Sequence, residues 1–72
     1  MTGFEQTYPN ISRWIKSYGW IEIGADLYSP SLVRAYDEGS TVWESKEDDT
    51  SLNEVLQTLD AILEQRMKEY YA

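Results

Sequence analysis

The C-terminal third of this chain constrains its fold most. After Ser51, the residues Leu52, Val55, Leu56, Leu59, Ile62, Leu63, Met67 and Tyr70 recur at intervals of three and four, which puts them on one stripe of an α-helix. Ser51 and Glu54 stand three residues apart at the head of that stripe, the spacing of a capping box. The pattern predicts a helix over 51–70. At about 1.5 Å per residue such a helix is about 30 Å long, whereas strands of five or six residues span only about 17–20 Å. It must therefore overhang any small sheet it packs on by about two turns. Ile62, Leu63, Met67 and Tyr70 then need cover, either from another helix through Trp14 and Tyr18 or from a second copy of the chain.

The rest of the chain supplies partners for this helix. Pro9 suits the first turn of a helix, where its missing N–H costs nothing. Ile11, Trp14, Ile15 and Tyr18 follow at helical spacing, and Gly19 stands where a left-handed C-terminal cap would fall. This predicts a first helix over 9–18, preceded by a loose N-terminal arm over 1–8 that lacks periodicity. In Trp20–Asp26, Ile21, Ile23 and Ala25 alternate with Glu22 and Gly24, the period of a half-buried strand. Gly24 marks a bulge or a close backbone approach, and Ser29-Pro30 a turn.

Two further strands, 32–36 and 41–45, flank Asp37-Glu38-Gly39-Ser40. A two-residue turn at Glu38-Gly39 would pair Ala35 with Val42. A three-residue loop with Gly39 in the left-handed region would pair Ala35 with Thr41 and Val33 with Trp43. The three-residue loop is preferred, because Glu-Gly is a weaker two-residue signal than Asn-Gly; it turns Val33, Ala35 and Trp43 inward together. The expected fold class is α+β: a single small domain over 9–72 in the order α-β-β-β-α, with a three-stranded antiparallel sheet carrying its helices on one face.

Composition narrows the chemistry. The 72 residues include no Cys and no His. Disulfide frameworks, zinc–thiolate sites and thiol nucleophiles are excluded, and so is the usual general base near neutral pH. Thirteen acidic against six basic residues leave a formal charge of −7, a poor match to phosphates or anionic membranes. No apolar run is long enough to span a bilayer, and residues 1–6 lack the basic and apolar regions of a secretory signal; the expected location is cytoplasmic.

Few motifs survive inspection. Glu47-Asp48-Asp49 does not have the ligand spacing of an EF-hand loop; these acids complement the positive end of the following helix, as Arg66 and Lys68 complement its other end. No serine stands in a nucleophile elbow or in an S-x-x-K pattern, and no glycine-rich phosphate loop is present. Glu22 and Glu44 would approach each other only if the third strand took the less favoured register and neighboured the first. An enzyme is not expected, and no cofactor or metal is called for.

The aromatics are the remaining signal. Ten rings in 72 residues exceed what so small an interior can hold. If Ile21, Ile23, Val33 and Ala35 face the helices, alternation turns Trp20, Glu22, Arg34 and Tyr36 outward. Trp, Tyr and Arg together have the composition of interface hot spots, although Arg34 could equally stack on a neighbouring ring.

At W-I-E-I-G (20–24), L-V-R-A-Y-D-E-G (32–39) and V-W-E (42–44), the chain resembles small bacterial proteins of cyanobacterial type, a resemblance that implies no activity and transfers no site. The α-β-β-β-α order is similar to that of double-stranded-RNA-binding domains. Those domains grip phosphates with basic residues at the start of the last helix, where this chain has Glu47, Asp48, Asp49 and Glu54. The run T-S-L-N-E-V-L (50–56) after a strand hairpin resembles part of HicB-type antitoxins, in which an acidic surface would suit masking of a basic toxin. The expected function is that of a small acidic, non-enzymatic interaction module, adaptor or inhibitor-like, binding a protein with a basic or apolar patch. A nucleic-acid-associated module is the alternative, and monomer and homodimer remain open.

Overall fold

The computed structural model describes residues 3–24, 30–46, 48 and 51–70. Two short helices, α1 (Gly3–Thr7) and α2 (Pro9–Ser17), precede strands β1 (Trp20–Ile23), β2 (Val33–Tyr36) and β3 (Thr41–Glu44), and helix α3 (Leu52–Tyr70) closes the chain. The strands form one antiparallel sheet in the order β1-β2-β3. The result is the expected α+β architecture, with α2 and α3 against one face of an open sheet.

Two local expectations change at the N-terminus. Residues 3–7 form helix α1 instead of a loose arm. It is tied down by the Tyr8 N–H donating to the Phe4 carbonyl at 2.8 Å, by tilted Phe4–Tyr8 rings 5.0 Å apart and by a 2.7 Å ion pair from Lys16 to Glu5. Pro9 then starts α2 afresh, because the residue before a proline is pushed out of the helical region. The apolar stripe of α2 is also rotated from the expected one: Ile11 and Trp14 are fully buried and Ser12 is buried beside them, but Ile15 is 45% exposed.

Ile11, Trp14, Val33, Ala35, Leu59 and Leu63 form the centre of the core, with Tyr8, Val55, Leu56 and Met67 around them. The overhang of α3 is therefore covered within the chain at Leu63 and Met67, and Ile62 is half-buried. Tyr70 stays 66% exposed with the Arg66 guanidinium 4.8 Å over its ring.

Side chains from distant elements tie the layers together. The N-cap residue of helix α2 is Tyr8, which provides no side-chain cap. The missing acceptor comes from α3: Asp60 Oδ1 accepts the backbone N–H groups of Asn10 and Ile11 at 2.9 Å each, and Oδ2 accepts from the Asn10 amide at 3.1 Å. A carboxylate fifty residues away thus satisfies donors that every helix start leaves open. The Tyr8 hydroxyl donates to the Asn53 side chain nearby. At the head of α3 itself, Ser51 Oγ accepts from the Glu54 N–H at 3.4 Å, the N-cap half of the predicted box.

Helix α2 meets the sheet where the Trp14 indole donates to the Tyr36 carbonyl at 3.1 Å. Gly19 sits against the same carbonyl. A Cβ at position 19 would lie 1.9 Å from it, so glycine is needed here for close approach and not, as expected, for a left-handed cap. Among the described residues only Gly24 has positive φ, at 117°.

The hairpin adopts neither of the two simple registers. Tyr36 pairs with Thr41 across the turn, but Ala35 pairs with Trp43, leaving Val42 as an extra residue in a bulge. The turn is held by Asp37, whose Oδ1 accepts from the Gly39 and Ser40 N–H groups and from the Ser40 hydroxyl. Gly39 needs no positive φ in this arrangement. The bulge moves the strand by a further residue, so the pairing lies two residues from the preferred register and keeps its parity. Trp43 consequently lies on the Ala35 side, as expected, and both Val42 and Trp43 pack half-buried against the core. Ser45 closes the ladder beyond the bulge: its Oγ accepts from the Leu32 and Val33 N–H groups at 2.9 and 3.1 Å, and its N–H donates to the Val33 carbonyl at 2.9 Å.

Ala25, Asp26, Ser29, Glu47, Asp49 and Tyr71, to which the sequence gives strand, turn, acidic-run and terminal roles, lie outside the described residues.

Candidate protein-interaction face

Strand alternation defines the second face of the sheet. Across β1 and β2, Ile21 pairs with Ala35 and Ile23 with Val33, so Trp20–Tyr36 and Glu22–Arg34 form the rows of the opposite side. Ile21 packs against the core as expected, but Ile23, expected to face the helices, is 51% exposed at the outer end of the marginal strand β1, outside the core cluster. Beyond β2, Glu44 pairs with Arg34 and extends the second row to Glu22–Arg34–Glu44. The four residues singled out from the sequence do share one face. Glu44 joins them, and the alternation that turns Trp43 inward was the signal for it. A whole strand separates Glu22 from Glu44, and the residue between them is a cation, so the two carboxylates do not form an acid–base pair.

The first row is aromatic and open. Trp20 and Tyr36 stack with centroids 5.5 Å apart and planes 20° from parallel. Trp20 keeps 46% of its surface exposed, although a ring of this size gains much by burial. Cross-strand aromatic pairs stabilise a sheet, so part of the reason for the pair is internal. The exposure that remains serves no contact among the described residues.

The second row departs from expectation at Arg34. The sequence placed it on an exposed patch; the structure buries it to 4% exposure. Its Nη1 donates to the Ser31 carbonyl at 2.7 Å, Nη2 to the Gly24 carbonyl at 2.9 Å, and Nε lies 3.4 Å from Glu22 Oε1. The physical reason lies in the chain ends of β1 and β2, where Gly24 and Ser31 present carbonyls to be satisfied. The guanidinium has the fixed fork of donors that can satisfy both at once. The Gly24 N–H also donates to the Leu32 carbonyl at 2.7 Å, so its positive φ belongs to a closed local network. Arg34 is thus a fastener of the sheet margin and not a contact residue. The guanidinium that does lie over a ring is that of Arg66, on Tyr70.

Electrostatically, the face offers carboxylates at Glu22, whose side chain is half exposed, and at Glu44, which is exposed. The Arg34 guanidinium between them is sunk below the surface with its terminal nitrogens occupied. At the loop end of the first row, the N–H groups and hydroxyl donated to Asp37 hold its carboxyl below the ordinary aspartate range, with Arg66 4.0 Å away adding to the effect. Among the described residues no cluster of carboxylates is gathered as a metal site would require, and no helix is long and apolar enough to cross a membrane. An open groove between β3 and the end of α3 is lined by Val42, Ile62, Gln65, Arg66, Glu69 and Tyr70, but Arg66 there is already shared between Tyr70 and Asp37.

No protein-family model matches this chain, and neither a curated protein nor a solved structure gives a significant match to it. The functional reading rests on the face itself.

Proposed function

We propose that this protein is a small acidic, non-enzymatic interaction module that docks another protein on the sheet face turned away from its helices. The observation that carries this reading is the stacked Trp20–Tyr36 pair, with Trp20 nearly half exposed on the face that also carries Glu22 and Glu44. Aromatic anchors that bury little in the monomer and stand within an acidic surround suit a partner bearing a basic or apolar patch. The formal charge of −7 favours encounter with such a partner and disfavours nucleic acid.

The test compares partner capture from the native host by wild type, by W20A/E44Q and by the control I15A, which alters an exposed position on α2. Arg34 is left untouched because its removal would loosen the sheet. A partner of basic or apolar surface retained by wild type and I15A, lost by W20A/E44Q, and mapped by NMR onto Trp20, Tyr36 and Glu44 supports the reading. Identical partners for all three proteins would refute it.

A further inference from the structure

The geometry points to a specific occupant for this face: an arginine side chain of the partner, its guanidinium laid on the open side of the Trp20 ring and turned toward Glu22. The inference rests on the reading of this face as a docking surface. Tyr36 takes up one side of the Trp20 ring, with centroids 5.5 Å apart and planes within 20°. Trp20 lies on β1, a margin of the sheet, and is 46% exposed, so the seat for the guanidinium is the ring side turned away from β2. A tryptophan face attracts cations within about 6 Å of the ring centroid. A planar guanidinium continues the existing stack, whereas an ammonium brings charge without a plane.

Glu22 is placed to complete the contact. It stands two residues along the same strand on the same face, about 7 Å away, with half of its side chain exposed. Among the described residues its engaged oxygen is Oε1, 3.4 Å from Arg34 Nε, which leaves Oε2 to accept from an incoming N–H. The neighbouring Arg34 does not fill the seat: its Nη1 and Nη2 are held by the Ser31 and Gly24 carbonyls below the surface. Glu44, on the far side of Arg34 in the same row, adds negative potential over the face, as does the net charge of −7.

The experiment titrates the isotopically labelled full-length protein with the blocked peptide Ac-Gly-Ser-Ala-Arg-Ala-Ser-Gly-NH2 at low salt. Counterparts carry citrulline, which keeps the plane and loses the charge, or lysine, which keeps the charge and loses the plane. The Trp20 indole N–H resonance is the readout. The arginine peptide is expected to move it saturably and to bind about fivefold more tightly than the citrulline peptide, with lysine between them. E22Q, checked for an unchanged fold by its spectrum, should reduce the arginine-over-citrulline preference to about twofold or less while the Trp20 contact persists. Equal binding of arginine and citrulline peptides at Trp20 overturns cation recognition but leaves the docking face standing. Equal binding of lysine and arginine overturns the stacked guanidinium, and an unchanged preference in E22Q overturns the role of Glu22. Failure of every peptide to move Trp20 overturns the arginine seat, and the docking reading is then decided by the capture experiment.

Discussion

Replacing Asp60 by alanine should unfasten α2 from the rest of the molecule. The carboxylate accepts three hydrogen bonds, two of them from the backbone N–H groups of Asn10 and Ile11 in the first turn of a nine-residue helix. A helix of that length does not hold itself together in water, and Tyr8 supplies no alternative cap. Loss of an N-cap costs about 0.5–2 kcal/mol, and loss of a negative charge from the positive end of the dipole about 0.3–1 kcal/mol. Alanine returns up to about 0.7 kcal/mol by its better helix propensity within α3. A net loss of about 1–2 kcal/mol follows, out of a total stability of about 4–11 kcal/mol for a chain of this size, and it corresponds to a fall in Tm of about 4–16 °C. D60N keeps an acceptor oxygen for the two backbone N–H groups but loses the charge and the acceptor of the Asn10 amide, so it should cost about 1 kcal/mol, less than D60A. Urea denaturation followed by circular dichroism at constant m-value measures both. A D60A protein within about 0.5 kcal/mol of wild type, or a D60N protein as unstable as D60A, would refute the cap.

Three further outcomes are expected. G19A should cost about 3 kcal/mol or more, since the new methyl meets the Tyr36 carbonyl at 1.9 Å and the Trp14 indole at 3.0 Å; thermal denaturation and loss of the buried Trp14 fluorescence signature measure it. R34A should cost about 3 kcal/mol, because the Gly24 and Ser31 carbonyls lose their donors at a buried position, and R34K should recover only part of that loss in the same denaturation assay. The Asp37 carboxyl should titrate below the ordinary aspartate range, in keeping with the hydrogen bonds it accepts from Gly39 and Ser40. Because its folded value is depressed, the turn is stabilised above the unfolded value of about 4 and loses that support as pH falls through the folded value. Carboxyl NMR below about pH 5 follows the midpoint, and D37N should remove this step while Glu5, lowered by its ion pair to Lys16, still titrates.

The sheet face shows how far alternation carries. Trp20, Glu22, Arg34 and Tyr36 share a face because side chains of a strand alternate with period two, and this was legible in the sequence. That Arg34 is buried was not legible, since its partners are main-chain carbonyls at Gly24 and Ser31, and main-chain groups carry no residue-type signal. The hairpin teaches the same lesson. The side on which Trp43 lies follows from pairing parity, which a bulge at Val42 and a longer turn together preserve, whereas the register itself depends on how Asp37 closes the turn.

Helical spacing by itself determined α3, and the alternation of Ile21, Ile23, Val33 and Ala35 determined the sheet, because local periodicity decides which side of an element is apolar. Only the tertiary structure decided what lies against those sides: Asp60 as the cap of α2, Gly19 as the seat for the Tyr36 carbonyl and Ser45 as the clasp of β2. Each of these contacts joins residues far apart in the chain or depends on a backbone approach of a few ångströms. A linear pattern holds no record of such distances. The exposed Trp20 falls between the two, since alternation put it outside and only the packed structure showed that Tyr36 stacks on its ring while nearly half of the residue stays exposed.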